Sequence, residues 1–262
     1  ISAHLGMSTV KIQLTTMVLI AALVTGAFLF LPQSEGRVTN PGLEIVAAHY
    51  VPWYQGDTEE GNWSFLQGEK EIHTAFTPLL GRYNSKSQQI LSRHIDWALG
   101  HGVNTFLIEW PGLTYGPFQN SYEKVVSSFL LNRDFKKMDF FFVYSLLSAT
   151  QKNDQADFRN VNLDDPEIKQ KIIRDFHFAC FSYFCQNNYL HFQGKPVIYL
   201  WATGLAGDSL PQFIEDLRQD IRENFNFEIF LIGDQVGWNS RFNEKVTPCF
   251  DAVMPYALVD LN

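Results

Sequence analysis

The chain has 262 residues, of which 46% are hydrophobic, 15% aromatic and 18% charged, and its formal net charge is -8. This composition excludes a disordered, collagen-like or coiled-coil protein, and at roughly 100–200 residues per domain the length allows one large domain or two small ones. The acidic balance and the lack of a basic stripe argue against a nucleic-acid partner.

The amino terminus carries an uncharged stretch, residues 12–34, whose centre, residues 17–31, is apolar apart from Thr25 and Gly26. Such a stretch is typical of a secretory signal or an amino-terminal membrane anchor, and a buried core helix is the alternative. We therefore predict that residues 1–40 are a signal peptide or anchor with its linker, and that residues 41–262 form the folded part. The predicted location is the secretory pathway, with the chain anchored by a single span or secreted.

Short apolar runs alternate with helical patterns along the rest of the chain. Strands are predicted over residues 44–50, 103–110, 140–145, 196–201, 228–234 and 252–256. Helices are predicted over residues 87–99, 122–131, 164 to about 188, and 210–224. Strands that are apolar throughout, with helices between them, indicate a parallel sheet whose two faces are both buried.

The turn after the first strand decides between two parallel architectures. A doubly wound sheet has a glycine-rich phosphate-binding turn at this place, whereas residues 51–55 read Val-Pro-Trp-Tyr-Gln. We therefore predict an α/β fold of the (β/α)8 TIM-barrel type. Eight strands need about 250 residues, so we expect this chain to be a barrel truncated after about six strands.

Function in a barrel gathers at the carboxyl ends of its strands, and the residues there are aromatic with few charges. They include His49, Tyr50, Trp53, Tyr54, Glu109, Trp110, Tyr144, Ser145, Trp201, Asp234 and Tyr256. Aromatic faces with scattered carboxylates suit sugars, and a glycosidase needs two carboxyl groups beside the scissile bond. We predict a sugar-binding set of Tyr50, Trp53, Tyr54, Glu109, Trp110 and Tyr256.

Several of these residues have a structural alternative. Trp53 and Trp110 are alternatively packing residues of the barrel rim, and Glu109 is alternatively half of a structural salt bridge. Asp234 is a weak catalytic candidate, like Glu109, and its alternative is a loop cap. The three cysteines, Cys180, Cys185 and Cys249, are interpreted as buried small hydrophobic residues, and neither a metal nor a cofactor is expected.

Two segments together resemble the glycoside hydrolases of family 99: residues 49–54 (His-Tyr-Val-Pro-Trp-Tyr) and residues 78–85 (Pro-Leu-Leu-Gly-Arg-Tyr-Asn-Ser). His94 on the next helix and Trp110 at the end of the next strand extend the likeness. The resemblance implies a (β/α)8 barrel that cleaves α-mannosides internally with retention of configuration. The family's catalytic pair lies in a Glu-x-x-Glu loop, which the resemblance places beyond Asn262, so the catalytic residues are unknown.

The chain departs from the family in lacking a glutamate after its third strand, where Tyr144 and Ser145 stand. The main hypothesis is a glycoside hydrolase acting on α-linked, mannose-containing glycans. The alternative is a barrel that binds carbohydrate without catalysis, and a sugar transferase is a weaker third interpretation. The expected partners are a glycan and, through the amino-terminal segment, a membrane.

Overall fold

The computed structural model describes residues 44–52, 54, 65–67, 70–72, 78–113, 119–150, 160–234 and 246–255. The strands are β1 (Ala47–Tyr50), β2 (Phe65–Gln67), β3 (Lys70–Ile72), β4 (Thr105–Trp110), β5 (Asp139–Ser145), β6 (His191–Phe192), β7 (Lys195–Trp201), β8 (Phe230–Asp234) and β9 (Ala252–Met254). The helices are α1 (Gln88–Gly100), α2 (Gln119–Leu131), α3 (Leu146–Ala149), α4 (Pro166–Ser182) and α5 (Leu210–Phe225).

Six strands form one curled parallel sheet in the order β1-β4-β5-β7-β8-β9. Each new strand joins the sheet on the same side as the one before it, which is the winding of a (β/α) barrel. A doubly wound sheet reverses direction part-way. The predicted α/β fold class is therefore confirmed, and the described strands form a half-barrel with helices packed outside.

The two faces of the sheet carry different side chains, because side chains alternate along a strand. On one face Tyr50 packs against Phe129 of α2, and Tyr144 packs against Phe176 of α4. Trp110 is in register with Tyr144 and lies on the same face. This is the outer, helix-covered face, so neighbours such as Glu109 lie on the interior face of the half-barrel.

Both faces of the central strands are buried. On the outer face Ile108 and Phe142 are fully buried, and on the interior face Leu107, Phe141 and Val143 are almost so. This two-sided burial explains why the central strands are apolar throughout. All six strands were predicted to within three residues of their ends.

The predicted fourth helix ends earlier than expected. Helix α4 begins at Pro166, with the Asp165 side chain accepting from the backbone N–H of Glu167, but it ends at Ser182 and not near Asn188. Asn188 donates to the carbonyl oxygens of Phe135 and Met138, and its own carbonyl accepts from Phe140 N–H. These bonds draw the chain out of the helix and along β5.

Three elements were not predicted: the hairpin β2–β3, the single turn α3, and β6, which runs antiparallel to β7. The two residues between β6 and β7 are Gln193 and Gly194, both with positive φ, as a tight hairpin turn requires. The cysteines are free; Cys180 is buried as predicted, whereas the prediction of burial is wrong for Cys185, which is exposed beyond the end of α4.

The predicted targeting segment and the domain boundary at residue 40 lie outside the described residues. Within the described ranges, no helix has the length and apolarity that a bilayer crossing needs. The signal or anchor therefore stays a prediction.

Gly233 on β8 tests the packing between the last two strands. A Cβ atom at this position would lie 2.4 Å from ring atom Cδ2 of Phe250, so we expect Gly233→Ala to destabilise the fold by about 1–3 kcal/mol. Chemical denaturation measures this loss, and Phe250→Leu in the same chain should restore part of it. Gly204→Ala is the matched control, since nothing lies within 4 Å of its added carbon. Equal stability of Gly233→Ala and the wild type would contradict this packing.

Candidate functional site

Glu109 stands near the carboxyl end of β4 on the interior face of the half-barrel. Its side chain is 17% exposed, and its Oε2 atom is buried without a hydrogen-bond partner in the described part of the chain. A buried carboxyl oxygen without a hydrogen-bond donor raises the free energy of the folded state, so such a group calls for an explanation such as a bound ligand. This geometry makes Glu109 the centre of the candidate site.

His49 on the neighbouring strand β1 lies close to that oxygen. His49 pairs in register with Leu107, two residues before Glu109, so the two side chains share the interior face. The His49 Nε2 atom lies 3.8 Å from Glu109 Oε2, which is within ion-pair range but too long for a hydrogen bond. The imidazole therefore borders the free oxygen without satisfying it.

Burial shifts the protonation of both groups toward their neutral forms. Burial raises the pKa of Glu109 from its ordinary 4.5 to about 7. Burial also lowers the pKa of His49 below its ordinary value. Because both shifts disfavour the charged forms, they weaken an ion pair between the two groups at neutral pH, and the structural alternative for Glu109 stays open.

Two further strand ends contribute to the interior face. Ser145 at the end of β5 is in register with Trp201 at the end of β7. Trp201 is half-buried and Ser145 is buried. The sequence places both residues at strand ends, but the predicted sugar-binding set does not include them. The strand register shows that Ser145 and Trp201 lie on the same face of the sheet as Glu109, and this register follows from the pairing of the strands.

Trp110 was predicted to contact sugar, and the structure places it elsewhere. The side chain is fully buried on the outer face, where its ring lies 5.1 Å from Phe142 and 5.7 Å from Tyr183, centroid to centroid. A ring enclosed in this way has no face to offer to a sugar. The correction follows from alternation along β4, because Glu109 faces the interior and its neighbour must face the helices.

Tyr50 and Tyr54 also pack against α1 and its preceding loop. The Tyr50 hydroxyl shares a 3.0 Å hydrogen bond with His94 Nδ1, and burial raises the pKa of this phenol. The ring of Tyr54 stands edge-on to Tyr83, and its carbonyl oxygen accepts from the backbone N–H of Ser85. These contacts hold the loop of residues 78–85 against β1. Tyr50 is half-buried on the outer face, and the sugar contacts predicted for Tyr50 and Tyr54 stay predictions.

Asp234 fits its structural alternative. This carboxylate is buried at the end of β8, and its Oδ2 atom accepts a 3.2 Å hydrogen bond from the backbone N–H of Ala202. Ala202 has a positive φ of 65°, a conformation that costs energy for alanine. Asp234 thus stabilises the strained turn after β7, which explains its burial without a catalytic role.

Two of the predicted site residues lie outside the described part of the chain. Trp53 and Tyr256 lie outside the described residues and stay predictions. Across the ranges that the structure describes, there is no cluster of three or more His, Cys, Asp or Glu side chains able to hold a metal ion.

Three solved structures with a similar fold are described as glycoside hydrolases or as glycoside hydrolase-like. One described as a glycoside hydrolase-like protein matches with a TM-score of 0.58 and 21% identity, over 84% of this chain and 61% of the other. The family 99 endo-α-mannosidase of Bacteroides thetaiotaomicron matches with a TM-score of 0.56 and 16% identity, over 81% of this chain and 61% of the other. The structure of its complex with bis-tris-propane matches with a TM-score of 0.55 and 18% identity, over 81% of this chain and 59% of the other.

No family model matches the sequence, and no curated protein matches it. The identities to the solved structures are low, so the likeness establishes the fold. The resemblance of the sequence to family 99 is confirmed at that level. The chain spans 61% of the length of the first two structures that it matches.

The raised pKa of Glu109 has a measurable consequence for stability. A carboxyl group with a raised folded-state pKa contributes stability below its ordinary pKa of 4.5, and this contribution is lost as the pH rises through about 7. Glu109→Gln carries no ionisable proton, so its stability relative to the wild type should improve by on the order of 2–3 kcal/mol between about pH 4 and pH 8.

Urea denaturation of both proteins across that pH range measures the difference. Glu223→Gln on the exposed surface of α5 is the matched control and should track the wild type at every pH. A constant offset between Glu109→Gln and the wild type would contradict the raised pKa.

Proposed function

We propose that this protein is a glycoside hydrolase that acts on α-linked glycans containing mannose. The observation that carries the proposal is Glu109, a carboxyl group with a free oxygen at the carboxyl end of an interior strand. The likeness to glycoside hydrolases supports it, because in this fold the substrate binds at that end of the strands.

The protonation state of Glu109 suits one step of glycoside cleavage. With a pKa of about 7, this carboxyl group keeps a proton near neutral pH. A glycosidase needs such an acid to protonate the oxygen that leaves when the bond between two sugars breaks. A second carboxyl group must act at the sugar ring. The family resemblance implies that both catalytic carboxyl groups lie in a Glu-x-x-Glu loop, and the present proposal differs in assigning the acid to Glu109.

His49 lies next to Glu109 but does not compete with the substrate for the Glu109 proton. At 3.8 Å it does not hydrogen-bond the free oxygen, and in its neutral form it does not draw the proton away by charge. A sugar oxygen entering the interior would complete the missing hydrogen bond of Glu109. Substrate binding thus removes an unsatisfied buried group, which favours the complex.

The decisive experiment uses the protein expressed from its own gene and a panel of glycans, with α-mannosides first. Glu109→Gln should lower kcat by at least ~100-fold, because removing a general acid forfeits this much of the rate. Glu223→Gln should retain wild-type kinetics. A folded wild-type protein that cleaves no glycan would reject the hydrolase, and an effect confined to KM would make Glu109 a binding residue.

Trp201 is the proposed stacking platform for a sugar ring. It replaces Trp110 in this role, since it is the half-buried indole at an interior strand end. Trp201→Ala should weaken glycan binding by about 1 kcal/mol, roughly fivefold, as measured by calorimetry. Trp97→Ala removes an indole that is 39% exposed on α1 and should leave affinity unchanged. Equal affinity of all three proteins would reject the platform.

A second candidate is a barrel that binds carbohydrate without cleaving it. Among the described residues at interior strand ends, Glu109 and Asp234 are the carboxylates, and Asp234 is held by Ala202. The described residues therefore supply one free carboxyl oxygen where hydrolysis needs two groups. Saturable glycan binding with no turnover would favour this candidate, and turnover would reject it.

We propose further that the apolar segment of residues 17–31 directs the protein into the secretory pathway, by an uncleaved anchor or a cleaved signal. The uncharged sequence supports this. Protease protection of isolated membranes tests it, since the folded part should be protected until detergent is added.

A further inference from the structure

A second buried carboxylate, Asp175 on α4, lies behind the candidate site on the outer face of the sheet. The residue is 2% exposed. Its Oδ1 atom accepts a 2.9 Å hydrogen bond from the backbone N–H of Leu113, and its Oδ2 atom accepts a 2.8 Å bond from the Tyr144 hydroxyl. Asp175 therefore joins three elements: α4, β5 and the loop that follows β4.

The loop after β4 is shaped around this carboxylate. Gly112 has a φ of +86°, and a Cβ atom there would lie 2.1 Å from Asp175 Oδ2. Only glycine permits both the backbone conformation and the close approach. The chain thus passes directly over the carboxylate, three residues after Glu109.

The residue next to Glu109 is fixed on the same side. Trp110 fills the outer layer between Phe142 of β5 and Tyr183 beyond α4. Tyr144, the donor to Asp175, is in register with Trp110 across the two strands. The indole and the carboxylate therefore hold the chain from Trp110 to Leu113 against the helix layer, and Glu109 is the first residue on the interior side of this fixed segment.

We propose that Asp175 is a positioning residue: by anchoring the loop after β4, it holds the Glu109 carboxyl in its buried place on the interior face. The catalytic consequence rests on the proposed function, whereas the positional one does not. Asp175 touches neither substrate nor reacting atoms, and it acts through the backbone of residues 110–113.

The charge of Asp175 strengthens this anchor. Burial raises its pKa to about 6, while the bonds from Leu113 and Tyr144 oppose the shift, as do Lys171 and Arg174 more weakly. The group is therefore mostly ionised above neutral pH. An ionised acceptor forms hydrogen bonds roughly twice as strong as a neutral one.

The experiment compares Asp175→Ala, Asp175→Asn and Tyr144→Phe with the wild type and with Glu167→Gln, an exposed carboxylate change on the same helix. Hydrogen exchange of the Leu113 amide reports the anchor. The pKa of Glu109, followed by NMR of its carboxyl carbon, reports the buried position, which a merely stabilising role would not alter. Steady-state kinetics supply the third readout.

In Asp175→Ala we expect the Leu113 amide to exchange at least tenfold faster, while amides in the middle of α1 keep their protection. The pKa of Glu109 should fall toward its ordinary value, because a released loop admits water. We expect kcat to fall at least tenfold with a smaller change in KM. Asp175→Asn and Tyr144→Phe, which each keep a bond in the network, should fall between Asp175→Ala and the wild type.

Unchanged Leu113 exchange and an unchanged Glu109 pKa in a folded Asp175 variant would overturn the proposal. If Asp175→Ala does not fold, the two milder variants decide by the same readouts. A wild-type protein without glycan turnover would reject the proposed function alone, since the exchange and pKa measurements need no substrate. Glu167→Gln should match the wild type in all three.

Discussion

The alternation of side chains along β4 is the constraint on which the candidate site depends. Neighbouring residues of a strand must face opposite sides, so Glu109 and Trp110 cannot both point into the barrel. Trp110 occupies the outer layer, fully buried against Phe142 and Tyr183. Its bulk fixes the rotation of the strand end, and this rotation in turn places the Glu109 carboxyl on the interior face.

The alternation of side chains along β4 also puts two buried carboxyl groups, Glu109 and Asp175, on opposite sides of the sheet. Glu109 lies on the interior face of the sheet, where no described residue donates to its Oε2 atom, whereas Asp175 lies on the outer side with donors from Leu113 and Tyr144. Burial raises the pKa of Asp175 from 3.8 to about 6 and that of Glu109 from 4.5 to about 7, and at Asp175 the hydrogen bonds from Leu113 and Tyr144 oppose the rise. The donors distinguish the two groups, because Asp175 is held in a hydrogen-bond network and Glu109 Oε2 has no donor among the described residues.

The fold was largely predictable from the sequence because both faces of its strands are buried. Strands β4 and β5 read as continuous apolar runs, and such runs between helices indicate a parallel sheet. That strength is also the reason the site was predicted less well. A run without polar alternation carries no signal of which residue faces which side, so Trp110 and Glu109 were assigned to the same sugar-binding set.

Other features depend on contacts that are distant in the chain. The end of α4 is set by the bonds of Asn188 to Phe135 and Met138, some fifty residues earlier, and no local pattern encodes them. The register between Ser145 and Trp201 is likewise a property of the sheet. Asp175 is different, because it lies among Ile168, Ile172, Phe176 and Ala179, the buried stripe of α4. A carboxylate at helical spacing within an apolar stripe is a signal that the sequence does contain.

The two carboxyl groups favour opposite directions of pH in the proposed chemistry. The loop anchor is strongest where Asp175 is charged, above about 6, and Glu109 holds its proton below about 7. Higher pH therefore favours the ionised acceptor that holds the loop, and lower pH favours the protonated form of Glu109. Water that entered the interior would lower the pH at which Glu109 loses its proton, since solvation returns the pKa of Glu109 toward 4.5. The anchoring of the loop and the pKa of Glu109 therefore depend on the same segment, residues 110–113, and the packing of Trp110 contributes to both.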